Sequence, residues 1–441
     1  MRAIAAISTP VGAGGIGILR VSGEDALAVA SAVFICGSKG SRPISDTPLM
    51  MRFGTFDAGD FRDRGYAVFF PAAKAYTGED TVEFYLHGGV RVMRGALDAV
   101  LRAGARLAER GEFTKRAYLS GRLSLADAEG VADMINAESA AALRAAYRLM
   151  DGSLSREINV LCDSLGEVIT GLEATLDYPE ETEDVVLPPL KGQIEDALAR
   201  VNALLATVDS GRMAKHGITA VLAGRPNAGK SSLMNALLGE DRAIVTRTPG
   251  TTRDTLEGSV ECDGIRINFV DTAGIRESGD EIESEGVRRA LAAAKHADVV
   301  IRVIDTTSPE TEEEHIDFGS ARVFTVRNKC DLTSFLCPRM YGCFAVSAKD
   351  GRGVDELRHA IAALAAEGSA SGGEVITSER HKDALYRAKR ALESALSSLD
   401  GTVDLTLVDL REAYDALGEI TGKTATEDVV DAIFTKFCVG K

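Results

Sequence analysis

A chain of 441 residues is too long for one compact core, and two or three domains are expected. Its formal net charge of −16 excludes a protein that coats nucleic acid through a generally basic surface. Seven cysteines without CxxC spacing and six scattered histidines suggest neither a metal site nor a disulfide framework, which points to a reducing, cytoplasmic compartment.

In chain order, the opening apolar run is broken by Pro10 and a glycine cluster, so no signal peptide is expected, and no later run is long enough to span a membrane. Gly12-Ala13-Gly14-Gly15-Ile16-Gly17 satisfies GxGxxG. The following Ile18–Val21 reads as extended rather than helical, so a glycine-rich turn is favoured over a dinucleotide fold. Tyr66–Phe70 is β-like and Val90–Leu101 helical, which predicts a small α+β domain over residues 1–118. Arg94, Arg102, Arg106, Arg110, Lys115, Arg116 and Arg122 read as a solvated face, with a polyanion site as the alternative.

Ser124 with Asp127 resembles a capping box, and Ala-rich helical sequence follows to Met150. Leu161, Leu165, Val168, Leu172 and Leu176 share one helix face. Tyr178-Pro179 and the acidic Glu180–Asp184 are expected to end that helix. From Ile218 strands alternate with helices: Ile218–Ala223, Ile265–Val270, Asp298–Asp305, Val323–Val326 and Phe344–Val346. Asp263-Gly264 signals a hairpin, and the alternation predicts a mainly parallel, doubly wound sheet. Glu367–Gly373 reads as a flexible linker. Beyond it Leu385, Ala388, Leu392, Leu396 and Leu399 share a face, as do Leu407, Leu410, Tyr414 and Leu417. Helical blocks (119–214 and 367–441) thus flank an α/β block (215–366), which reads as one split helical domain with an inserted α/β domain. Two independent helical regions are the other arrangement. The end Cys438-Val439-Gly440-Lys441 mimics a prenylation box, but Gly is not aliphatic and Lys is a poor final residue.

Gly224-Arg225-Pro226-Asn227-Ala228-Gly229-Lys230-Ser231, with Ser232 after it, fits G-x-x-x-x-G-K-[ST] between a strand and a helix. Glycines let backbone N–H groups close around phosphates, Lys230 supplies charge to them, and Ser231 can hold Mg²⁺. Asn328-Lys329-Cys330-Asp331 sets the base, because the Asp331 carboxylate can accept two hydrogen bonds from guanine that adenine cannot donate. Ser347-Ala348-Lys349 supplies the contact to guanine O6. Asp271-Thr272-Ala273-Gly274 stands at a strand end, with Asp271 expected to reach Mg²⁺ through water and Gly274 to sense the γ-phosphate. Thr252, in Gly250–Asp254, is placed to complete the Mg²⁺ shell. Five motifs in this order predict a domain that hydrolyses GTP. Ile275 follows that glycine where Ras-like proteins carry a water-positioning Gln, so another group is needed. The acidic loop Glu277–Glu285 is the nearest source, and Asn227 can ligate a monovalent cation where an arginine finger would place its charge.

Further motifs extend the pattern over the whole chain: Gly15–Gly23, Tyr76–Asp80, His87–Gly89, Gly111–Ala117, Val245–Asp254, Asp271–Arg276 and Phe437–Lys441. By these the chain resembles the MnmE (TrmE) family of tRNA-modification GTPases from end to end. The resemblance implies an N-terminal α+β folate-binding and dimerising domain, a split helical domain and an inserted doubly wound Ras-like G domain. It implies a homodimer that works with the FAD-containing MnmG as a heterotetramer. Together they add a carboxymethylaminomethyl-type group at C5 of the wobble uridine (U34) of certain tRNAs, using a tetrahydrofolate one-carbon donor. It implies K⁺ held by Asn227, Thr246, Thr248 and Thr251, with Arg247, Pro249 and Gly250 between them in the GTP-binding loop. Glu283 aligns with the family's general base; on residue type alone it is one acid in an acidic run. Arg20, Glu83, Arg122 and Lys441 align with folate contacts. Arg20 alone also reads as a strand-end charge, and Arg122 stands where some relatives carry Lys. Cys438 matches a near-terminal family cysteine, equally readable as a packed small residue. A ribosome-assembly switch of the Era or Der type is the competing reading. It calls for a KH-type RNA module or a second G domain, and neither sequence signature is found.

Overall fold

The structure, a computed structural model, describes residues 2–10, 12–37, 42–177, 179–225, 227–239, 258–271, 295, 297–308, 318, 321–333, 342–366, 375–399 and 403–440. Within it the backbone forms two compact units. The first comprises residues 1–132, 149–177 and 410–441; the second comprises 133–148 and 178–409.

The first unit is built on a seven-stranded sheet. Its strands are β1 (Ile4–Ile7), β2 (Ile16–Ser22), β3 (Phe34–Cys36), β4 (Arg52–Asp57), β5 (Arg62–Phe70), β6 (Thr81–His87) and β7 (Arg106–Leu107). Their order is β3-β4-β5-β6-β2-β1-β7, antiparallel except for the β1–β7 edge. Burial alternates along β2 and β6, so Leu19, Val21, Val82, Phe84 and Leu86 face a core capped by α1 (Ala26–Val33) and α2 (Val90–Arg102). Phe84 stacks edge-on to Phe56 at 5.2 Å and tilted to Phe34 at 5.7 Å, each contact contributing roughly 0.5–1.5 kcal/mol beyond burial. The glycine-rich stretch before β2 is a turn leading into a strand, and Gly14 N–H donates to the Gly88 carbonyl.

Arg20, Glu83 and Tyr85 project from the opposite face of this sheet, where α3 (Glu112–Leu119) brings Phe113 against Ile4 and Ala6. The capping box forms as expected: Ser124 N–H donates to Asp127 Oδ2 at 2.8 Å, and Asp127 N–H to Ser124 Oγ at 3.0 Å. The helical sequence beyond is two helices, α4 (Leu125–Asn136) and α5 (Ala140–Met150). Then α6 (Ser153–Asp177) buries Leu161, Leu165, Val168 and Leu172 but leaves Leu176 exposed, because the apolar face ends one turn early. Pro179 opens a new helix, α7 (Pro179–Leu205), as suits a residue with no N–H to lose in the first turn.

The second unit carries the doubly wound sheet. Its strands are β8 (Ile218–Ala223), β9 (Gly258–Cys262), β10 (Ile265–Asp271), β11 (Val299–Asp305), β12 (Arg322–Asn328) and β13 (Cys343–Ala345), ordered β13-β12-β11-β8-β10-β9. All neighbours are parallel except β9 and β10, which form the expected hairpin. Asp263 (φ 53°) and Gly264 (φ 78°) both lie in the left-handed region, as a two-residue type I′ turn requires. After α8 (Val208–His216) and β8 come α9 (Lys230–Leu238) and α10 (Val354–Ala363), which cover one face through Leu233, Met234, Leu237, Leu357 and Ile361. In the same unit α11 (Glu379–Ser398) packs along α7 through its buried Ala and Leu row. Next α12 (Val403–Thr421) leads to α13 (Glu427–Phe434), which with Phe437 packs on Leu125 in the first unit. No helix among the described residues is long and apolar enough to cross a membrane.

Candidate functional site

The strand order of the second unit reverses at β8, so the loops after β8, β11, β12 and β13 converge at the carboxyl edge of the sheet. This is where doubly wound sheets place ligands. The loop after β8 is the Gly224–Ser231 stretch. Gly224 (φ 148°) passes so close to β11 that a Cβ would meet the Val303 carbonyl at 2.3 Å. Gly229 (φ 88°) caps α9, and a Cβ there would meet Asn328 Nδ2 at 2.3 Å. Both glycines are therefore dictated by close approach as well as by conformation. Asn227 adopts φ 64° without being glycine, a strained turn of a kind that clusters at ligand-holding loops. Lys230 Nζ donates to the Gly224 and Arg225 carbonyls at 2.7 and 2.8 Å, so its ammonium spans the start of the loop. Ser231 and Ser232 are exposed in the first turn of α9.

Asn328 joins two of the motifs. It is 2% exposed; its Nδ2 donates to the Ala228 carbonyl at 3.0 Å, and its Oδ1 accepts from Ala348 N–H at 3.1 Å. One amide thus ties the phosphate loop to the Ser347-Ala348-Lys349 loop. Lys329 (φ 65°) donates to the Asn227 carbonyl at 3.0 Å and to Asp305 Oδ2 at 2.6 Å. Burial would raise the Asp305 carboxyl, but bonds from Lys329 and Thr307 hold it below the usual carboxylate range. Asp331 is half-buried, Ser347 buried, Ala348 half-buried and Lys349 exposed. Thr246, Arg247, Thr248, Pro249, Gly250, Thr251, Thr252, Thr272, Ala273, Gly274 and Glu283 lie outside the described residues, as does the Asp271 side chain. Sequence reasoning grouped Asn328 with the base motif and missed its clamp across two loops. Nothing in a linear pattern marks a side chain that bonds 100 residues back.

A second constellation lies in the first unit. Arg20 and Glu83 are direct cross-strand partners, and Arg20 Nε donates to Glu83 Oε1 at 2.8 Å. The Tyr85 hydroxyl donates to Glu83 Oε2 at 2.8 Å; burial and the neighbouring carboxylate push its pKa up to about 12. The Arg20 guanidinium stands 5.5 Å from the centre of the Phe113 ring. Tyr76 hydroxyl donates to Thr114 Oγ1 at 3.2 Å, and burial raises its pKa. Glu83 came from family alignment; Tyr76, Tyr85, Phe113 and Thr114 were not singled out, although three of these four lie within quoted motifs. The Gly440 carbonyl accepts from Ser8 Oγ at 3.1 Å, just beyond β1, whose Ala6 pairs with Arg20. The chain end therefore runs beside β1, the neighbour of the strand that carries Arg20; Lys441 itself lies outside the described residues. Arg122 is exposed and donates to the Ala72 carbonyl at 2.8 Å. Cys438 is exposed, and its carbonyl accepts from Gly111 N–H.

The basic stretch is not a uniform solvated face. Arg116 is 4% exposed, donating to Glu79 Oε2 at 2.6 Å and Glu112 Oε1 at 3.0 Å. Arg106 pairs with the same Glu112, whose carboxyl is held low despite its burial. These charges were read as solvent-facing although Glu112 stands four residues before Arg116; Glu79, the more distant partner, lies in a separate motif.

The fold and the phosphate-loop geometry define a P-loop protein with a Ras-like G domain in an otherwise helical unit. Residues 125–438 match the MnmE helical domain and residues 3–122 match the N-terminus of the GTP-binding protein TrmE. The "tRNA modification GTPase MnmE" of Syntrophus aciditrophicus is 40% identical over 99% of both chains. The protein of the same name from Xanthomonas campestris pv. campestris is 42% identical over 99% of this chain and 98% of its own. The G domain of the T. maritima FeoB iron transporter covers 34% of this chain at 26% identity and TM-score 0.26. The chain belongs to the MnmE family, whose named members are tRNA modification GTPases.

Proposed function

We propose that the chain is a GTP hydrolase whose central domain, bounded near residues 215 and 366, drives modification of tRNA. Residues 1–118 form its folate-binding and dimerising part, and 119–214 with 367–441 its helical part. The observation that carries the nucleotide reading is Asn328, which holds the phosphate loop and the base loop in one register. In that frame the Gly229 cap and the start of α9 direct N–H groups toward phosphate, and Lys230 pairs with the β- and γ-oxygens. Asp331 accepts from guanine N1–H and N2–H₂, and the Ser347-Ala348-Lys349 loop, tied to Asn328 through Ala348 N–H, supplies the contact to O6. The residue types suit the ions: Ser231 and Thr252 would hold Mg²⁺ as hard oxygen ligands, with Asp271 adding a carboxylate, and Asn227, Thr246, Thr248 and Thr251 would offer oxygens to K⁺. Bound there, the cations would neutralise charge on the transferring phosphoryl group. Glu283, as general base, takes the proton of the water that attacks the γ-phosphorus, the role Ile275 cannot fill.

The Arg20 constellation suits a tetrahydrofolate derivative. It offers a guanidinium, a carboxylate and aromatic faces together, with Arg122 and Lys441 as cations for a carboxylate tail. The product reading follows: with FAD-containing MnmG, the dimer modifies C5 of the wobble uridine in certain tRNAs in the cytoplasm. Nucleoside mass spectrometry of tRNA from a strain lacking the chain tests it. Loss of the C5 modification, restored by the wild-type chain but not by Arg20→Ala, is expected. Retained modification would overturn the reading in favour of a switch of the Era or Der type.

A further inference from the structure

A cleft of about 230 Å³ on the G domain, lined by Glu261, Cys262, Asp263 and His359 among others, brings together side chains that no function above uses. His359 Nδ1 lies 2.7 Å from Asp263 Oδ2 and 3.7 Å from Cys262 Sγ. All three ligand atoms fall within 4.8 Å of one another. His359 is remote in sequence from the adjacent Cys262 and Asp263 and meets them only through the fold: Cys262 ends β9, Asp263 opens the type I′ turn, and His359 sits midway along α10.

We propose that Cys262, Asp263 and His359 bind a divalent transition-metal ion of the zinc class, clipping the β9–β10 hairpin to α10. Three observations carry it. First, an imidazole nitrogen, a carboxylate oxygen and a sulfur already converge on one point, so a single cation there is within reach of all three. Second, the frame is fixed. Cys262 pairs in register with Ile265, the turn backbone is held at positive φ, and Gly264 O accepts from Ala141 N–H at 2.8 Å. On the other side, Arg358 Nε and Nη2 bind the Leu237 and Ala236 carbonyls at the end of α9, which anchors α10. Third, thiolate, imidazole and carboxylate together favour zinc over the hard cations Mg²⁺ and Ca²⁺. Tetrahedral zinc spaces such donors about 3.3–3.6 Å apart, so the Cys262–His359 pair is already close to that spacing and the Asp263–His359 contact opens by roughly half an ångström. Three protein donors leave a fourth position for water. The nearby Arg358 opposes a cation, but its guanidinium is engaged with the α9 carbonyls and with Asp355, and Glu261 adds negative charge to the lining. The composition gave no hint of this, because its only sequence signature is a Cys-Asp pair and a histidine 96 residues beyond the aspartate.

The bare ion pair that a solvated surface would carry predicts no metal binding, and cobalt separates the two. The full chain, stripped with a chelator, is titrated with Co²⁺ and followed by absorption. A thiolate-to-cobalt charge-transfer band that saturates at one equivalent and is reversed by Zn²⁺ is expected. Cys262→Ser should abolish that band, and His359→Ala should weaken Co²⁺ binding by at least about tenfold. In parallel, Zn²⁺ should raise the thermal midpoint of the wild type and leave that of His359→Ala unmoved. A titration with no charge-transfer band, or a band undiminished in Cys262→Ser, would overturn the site.

Discussion

The nucleotide site and the Arg20 constellation are built on opposite principles. At the carboxyl edge of the G-domain sheet, most of the key contacts are to backbone: Lys230 to two carbonyls, Asn328 to a carbonyl and an N–H, and glycines where no Cβ fits. A ligand of fixed shape imposes that arrangement, so spacing in sequence is constrained and the motif can be read without relatives. In the N-terminal unit, by contrast, side chains bind side chains across strands and motifs: Arg20 to Glu83, Tyr76 to Thr114 and Arg116 to Glu79. No general spacing rule governs such partners. The first region is legible from chemistry, the second only from resemblance.

The largest expected effect breaks the second region without touching the first. Arg116 is buried between two carboxylates, and Arg116→Met strands Glu79 while leaving Glu112 with Arg106 alone. Removing one partner of a buried ionic network costs about 3–5 kcal/mol. Denaturant unfolding of the full chain should show that loss in one transition, while GTP affinity by calorimetry stays within about twofold. A matching fall in GTP affinity would mean that the two regions are not energetically separate.

Next in size is the converse. Asp331→Asn replaces the paired acceptor with an amide that presents a donor to the guanine edge, leaving polar groups unmatched. GTP affinity should fall by about a hundredfold or more, with no change in unfolding midpoint. Unchanged affinity for GTP would remove Asp331 from base recognition. Here sequence reasoning is on its firmest ground, since the donor pattern of guanine requires the carboxylate.

Much of the fold was legible for the same kind of reason. The five strands read from alternation in the G domain all form, since a parallel sheet buried on both faces needs continuous apolar runs such as Ala220–Ala223. The Asp263-Gly264 hairpin and the Ser124–Asp127 cap form because each is decided within four residues. Missed were two local features, the break between α4 and α5, where Ser139 Oγ accepts from Ala142 N–H, and the restart of helix at Pro179, and two decided at a distance, the burial of Arg116 against Glu79 and the clamp through Asn328. The cap gives a measure of the local kind. Ser124→Ala loses the bond to Asp127 N–H and should cost about 1 kcal/mol in denaturant unfolding. A neutral result would mean that the Asp127 carboxylate, bonded to Ser124 N–H and Ser155, suffices alone.

The smallest effect tests whether the Arg20 constellation is electrostatically coupled or merely adjacent. The Tyr85 hydroxyl has its pKa raised from 10.0 to about 12 in the folded chain by burial and by Glu83. Between those values the unfolded chain has released the proton and the folded chain still holds it. The unfolded state then binds fewer protons, so stability must fall as pH rises through that window, and the contribution is fully present below it. Tyr85 is only half-buried, so solvent screens the effect and its direction alone is expected. Unfolding free energy of the wild type should therefore slope downward between pH 10 and 12 more steeply than that of Tyr85→Phe, which has no proton to lose. Parallel slopes would show that Glu83 is held by Arg20 alone. The pair would then be a strand-to-strand tie of the kind read from Arg20 in isolation, with Tyr85 a neighbour and not a member.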